Sequence, residues 1–134
     1  MAQIQCTQKL LKELKVKPEA ITDNLTPLSS WHANLLTFDR RKCVLITNNA
    51  SFYSLLIPGL TQPDFNHFSE VLGQHLFKNL LQENLPQDQI EILLDEFQHL
   101  SYTKTNNRSI LGTMNDLAFQ LKVIISMEGG LNAI

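Results

Sequence analysis

WHANLLTFDRRKCVLITNNASFYSLLIPGL, residues 31–60, decides the fold class. It holds three runs dense in β-branched, aromatic and aliphatic side chains, Trp31 to Phe38, Cys43 to Thr47 and Phe52 to Ile57, and side chains of this kind favour pleated strands. The interruptions, residues 39–42 and 48–51, are short and made of turn-compatible residues. Adjacent antiparallel pairing is therefore predicted, a meander closed by Pro58 and Gly59. Alternation along the first strand sends Trp31, Ala33 and Leu35 to one face and His32, Asn34 and Leu36 to the other.

Upstream of the meander, Ile4 and Cys6 alternate with Gln3 and Gln5, which predicts a short opening strand. Thr7 fits the cap of a helix with Leu10, Leu11 and Leu14 on one face, ended by Pro18. Residues 18–30 read as an ordered connection. Downstream, Thr61 and Asp64 form a capping pattern before one helix carrying Phe65, Phe68, Leu72, Leu76 and Leu80, with Pro63 in its first turn. Pro86 opens an acidic helix whose Ile90, Leu93, Leu94 and Phe97 share a stripe, with Asp88, Glu91, Asp95 and Glu96 largely outside it. A strand over 100–103 follows, then a helix over 108–126 stopped by Gly129 and Gly130, with Ile110, Met114, Leu117, Leu121, Ile124 and Ile125 turned to the sheet. This order predicts an α+β fold in a single layer arrangement: a mainly antiparallel sheet of about four or five strands packed with about four helices.

At 134 residues, 43% hydrophobic and 18% charged, the chain is expected to form one globular domain over 1–134. Eleven Lys and Arg against thirteen Asp and Glu give a formal charge of −2, which argues against non-specific nucleic-acid binding. That role would need Lys9, Lys12, Lys15, Arg40, Arg41 and Lys42 to form one basic stripe. The charge is uneven, with seven basic and four acidic residues through position 42 and five acids but no Lys or Arg over 79–103; a self-complementary homodimer or another protein partner would exploit this. The opening residues lack a signal-peptide core, and residues 117–127 fall short of the roughly 20 apolar residues of a membrane span. A cytoplasmic location with Cys6 and Cys43 as reduced thiols is expected.

The polar residues with chemistry to offer are few. Arg108 begins the last helix, where its charge opposes the helix dipole, and Asn115 and Lys122 follow at seven-residue intervals. An anion site made of Asn107, Arg108 and the helix N–H groups is one reading. A capping Asn107 with Arg108 paired to Asp39, Asp116 or backbone carbonyls is the other. His32 and Asn34 share a strand face that could meet Arg108, giving the candidate ligand or anion site His32, Asn34, Asn107, Arg108 and Asn115. Asp64, His67 and Glu70 drift around their helix and fit a solvated face; no metal and no cofactor is called for. With no nucleophile and base pattern, a non-enzymatic binding or interaction domain is the leading expectation. The alternative is a small enzyme acting on an anionic phosphoester or carboxylate, with His32 moving protons and Arg108 and Asn115 orienting the substrate.

Residues 31–60 and TNNRSILGTMNDLAFQL, residues 105–121, resemble a small bacterial domain family of unknown function, as does QCTQKLLKELKVKP near the start. The most specific words are WHANL, RKCVL and NRSILGTMND. The resemblance implies a stand-alone bacterial cytoplasmic domain and assigns no substrate, cofactor or catalytic residue.

Overall fold

The structure is a computed structural model that describes residues 2–20, 29–51, 53–105 and 108–127. Five strands form one mixed sheet in the order β4-β3-β2-β1-β5. They are β1 (Ala2–Cys6), β2 (Ser30–Phe38), β3 (Arg41–Asn48), β4 (Ser54–Leu60) and β5 (Leu100–Lys104). The helices are α1 (Gln8–Leu14), α2 (Gln62–Asn66), α3 (Phe68–Gln82), α4 (Gln87–Gln98) and α5 (Arg108–Met127). The α+β class holds, with four helices of seven residues or more.

The meander β2-β3-β4 is antiparallel, but β1 lies parallel to both β2 and β5. This corrects the mainly antiparallel sheet to a mixed one. Parallel pairing arises because β1 reaches β2 through the crossover helix α1, and β4 reaches β5 through α2, α3 and α4.

Helices pack on both faces of the sheet. One face carries Ile4, Cys6, Trp31, Ala33, Val44, Ile46, Leu55 and Ile57, packed in one cluster with Leu10 of α1, Leu72 and Leu76 of α3, and Ile90 and Phe97 of α4. On the other, Leu45 packs with Ile110 and Met114 of α5, and Phe38 and Cys43 with Leu121. Helix α5 therefore advances toward the β2–β3 turn, and Leu121 is its last residue in a core cluster among the described ones. Cys6 and Cys43 are buried free thiols in clusters on opposite faces, an arrangement that keeps them from bonding to each other. Burial pushes the Cys6 thiol up to about 12, away from reactivity.

Local details depart from the sequence pattern where hydrogen bonds override it. Helix α1 ends at Leu14, ahead of Pro18, because Lys15 takes a left-handed conformation and its N–H bonds Leu11. The β4 strand runs through Pro58 and Gly59, which form an irregularity opposite β3 (Lys42↔Leu60, then Val44↔Ile57). The helix expected from Phe65 to Leu80 is two: the Thr61–Asp64 capping box starts α2, and His67, at φ −122° and ψ 40°, breaks it before α3. The β2–β3 link is a two-residue turn with positive φ at Asp39 (50°) and Arg40 (63°), the signs a twisted hairpin requires. Phe52, Gly129, Gly130 and residues 21–28 lie outside the described residues.

Candidate functional site

The α5-facing side of the sheet divides in two. Over β3, β4 and the end of β2 it is apolar and covered by α5. Over β1, β5 and the start of β2 it is polar, because every second residue there is Gln, Ser, His or Thr. Register joins these into a row crossing all five strands: Ser54 of β4 opposes Thr47, Thr47 opposes His32, His32 opposes Gln5 and Gln5 opposes Thr103. Thr47, His32 and Thr103 are completely buried and Gln5 nearly so. Each of these side chains is neutral or can be, so burial does not force a bare charge out of water.

Asn49 organises the centre of the row. Its Nδ2 donates to Gln5 Oε1 at 2.9 Å and to Ser30 Oγ at 3.1 Å, which leaves its Oδ1 as the acceptor 2.7 Å from His32 Nδ1. The proton of neutral His32 is thereby assigned to Nδ1 and a bare lone pair to Nε2. Nε2 is buried with no hydrogen-bond partner among the described residues, as is Thr103 Oγ1. Thr47 and Ser54 share a hydrogen bond of 2.9 Å, and Thr7 Oγ1 donates to Asn34 Oδ1 at 3.3 Å. The face alternation read from β2 is borne out, and His32 and Asn34 do lie on one side.

Of the remaining sequence-derived candidates, the two that are described face solvent. Arg108 and Asn115 are exposed, because the α5 residues between them that turn to the sheet are Ile110 and Met114. An exposed Arg108 does not match a lock on a partly buried carboxylate. Asn107 lies outside the described residues. Gln5, Thr47, Asn49 and Thr103 were missed. Their signal, polar residues alternating with apolar ones in short strands, normally marks a wetted face, and their burial is what changes its meaning. Clefts open elsewhere: one of about 590 Å³ between α3 and α4, lined by Gly73, Phe77 and Leu94 among others, and one of about 330 Å³ beside the β2–β3 turn.

Comparison with known proteins adds a family. The model of a family described as a domain of unknown function (DUF6933) matches residues 3–134. The chain belongs to this family. No curated protein and no solved structure matches it. The DUF6933 match takes in the whole sheet beyond Ala2 and all five helices, so the polar row is a feature of the family domain in this chain, not of an appendage. Among the described residues, no helix of this DUF6933 chain is long and apolar enough to cross a membrane.

Burial lowers the pKa of His32 below the usual histidine range, and the Asn49 hydrogen bond only partly opposes it. The unfolded chain, with an ordinary histidine, then takes up a proton that the folded chain refuses as pH falls through about 6.5. His32 should therefore leave stability intact above that pH and erode it below, until the folded pKa is passed. His75, lowered by burial and by Lys78 against the opposing pull of Asp64, acts in the same direction. Chemical denaturation at a series of pH values from neutral to mildly acidic should show the decline in the parent and a shallower one in His32→Gln. Equal slopes in both would refute the assignment to His32.

Proposed function

We propose that this domain is a non-enzymatic interaction module of the bacterial cytoplasm that pairs with a second copy of itself through the end of α5. The observation that carries the reading is the set of large apolar side chains exposed on that helix around and beyond Leu121, its last core contact. Phe119 is 69% exposed and Met127 80%, and Val123 and Ile124 between them are also exposed. Ile124, expected from periodicity to face the sheet, belongs to this outer surface. Exposed apolar area at this density marks a contact surface more often than a wetted one. Residues 117–127 contain a single charge, Lys122. A two-fold contact sets one patch against its own copy, so a nearly uncharged patch meets little self-repulsion. The buried reduced cysteines accord with the proposed compartment.

Sedimentation across low to high micromolar concentration should give a monomer–dimer equilibrium. Phe119→Glu with Ile124→Glu should weaken it by at least about tenfold while leaving the melting transition near that of the parent. A parent chain that stays monomeric throughout, or a variant that dimerises equally well, would overturn the proposal.

The small-enzyme reading retains one favourable observation, the fixed tautomer of His32 with a bare Nε2. It requires Arg108 and Asn115 to close on that nitrogen with an anionic substrate. Turnover of an anionic phosphoester or carboxylate by the parent, lost in folded His32→Gln and in Arg108→Gln, would establish it in place of the interaction reading.

A further inference from the structure

We propose that the cleft between the β2–β3 turn and the β4–α2 junction binds a small phosphate-bearing molecule. Its lining includes Arg40, Arg41, Lys42, Gly59, Thr61 and Phe65, and it contains three cations and no carboxylate. Its volume, about 330 Å³, sits at the lower end of the range of about 300–1,000 Å³ typical of ligand sites. The site lies on the Leu60 and Phe65 side of the molecule, in the cluster opposite the one that α5 joins.

Three features build this cleft. The two-residue turn forces Arg40 into the left-handed region, φ 63°, a conformation that a residue with a Cβ rarely adopts. The turn thereby brings three successive cations to one short edge. Across from it, Gly59 has φ 64°, and a Cβ built there would stand 2.2 Å from a terminal nitrogen of Arg41. The guanidinium of Arg41 is thus seated against the glycine backbone, in space that any other residue would fill. Lys42 is held by an ion pair, its Nζ donating to Oε1 of Glu13 on α1. The nearest acid on α2, Asp64, is engaged by the backbone N–H and hydroxyl of Thr61.

This chemistry selects the ligand class. Two guanidinium groups, beside an ammonium already shared with Glu13, present more donors than one carboxylate can accept, and they match the several oxygens of a phosphoryl group. Arg41 held on a glycine seat costs less ordering on binding than a free side chain would. A nucleic-acid backbone would need the basic edge to continue onto α1, but Glu13 is placed against Lys42 at that junction, and the chain carries a net charge of −2. A small phosphate compound is therefore favoured over a polynucleotide.

Titration calorimetry of the full chain with pyrophosphate at low ionic strength should give saturable binding of one molecule per chain. Acetate at matched ionic strength should give none. Arg40→Gln and Lys42→Gln should each weaken pyrophosphate binding about tenfold with no loss of the melting transition, since both side chains are exposed. Gly59→Ala should weaken it too by displacing Arg41; if that variant fails to fold, the two surface variants still decide. Absence of saturable binding, unchanged affinity in Arg40→Gln and Lys42→Gln, or binding of a single-stranded oligonucleotide without any of pyrophosphate would each overturn the proposal. Oligomeric state does not enter these outcomes, so a failed dimer test leaves them readable.

Discussion

Trp31→Ala is expected to destabilise the domain by about 3–5 kcal/mol, the usual cost of emptying a buried aromatic site. Trp31 is 2% exposed and sits in β2 between β1 and β3. Its ring meets Phe97 of α4 edge-on at 5.1 Å between centroids and Tyr53 at 6.5 Å, contacts that add specific aromatic attraction to the area buried. Removing it leaves a cavity where β2 and α4 converge, and strands hydrogen-bonded on both sides relax poorly into such a gap. Because domains of this kind are stable by only about 5–15 kcal/mol, the melting temperature should fall by on the order of 10 °C or more. Calorimetry or circular dichroism melts measure this directly, and a fall of a degree or two would mean that α4 does not pack there.

Asn49→Ala should produce the other large loss, on the order of 2–5 kcal/mol, although the side chain removed is small and polar. Asn49 is the shared partner of His32, Gln5 and Ser30. Deleting it strands the His32 Nδ1 proton and the Gln5 carbonyl oxygen in a buried setting, and each buried group left without a partner costs about 1–3 kcal/mol. His32 already has one unpaired nitrogen, so the ring would lose its fixed tautomer along with its last hydrogen bond. Paired denaturation curves for Asn49→Ala, His32→Leu and the double variant form a cycle whose coupling should be well above the error of the measurement. Additive losses would show that the two residues act separately and that no polar network spans the strands.

The sequence by itself determined most of the elements and the chain of hydrophobic stripes. Trp31 to Phe38 alternates so regularly that its two faces could be named, and Leu72, Leu76 and Leu80 recur at helical spacing, because strand and helix periods are local properties of consecutive residues. Ile110 and Met114 were legible as core for the same reason. The sequence did not determine that β1 slots between β2 and β5, since parallel neighbours are joined by long crossovers that leave no local mark.

That placement is what only the tertiary structure decided, and the candidate sites follow from it. Gln3 and Gln5 look like solvent-facing positions until β1 is flanked by β2 and β5 and both side chains are buried; Gln5 then becomes the link between His32 and Thr103. Of the expected set, Arg108 and Asn115 stand apart from the buried His32 for the converse reason: helical phase turned both outward while Ile110 and Met114 met the sheet. Gly59 and Arg41, eighteen positions apart, meet only because β3 and β4 pair with an irregularity between them. Local sequence fixes which way a side chain points along its own element, whereas what stands opposite it is set by strand order and register, which depend on the free energy of the whole packed chain.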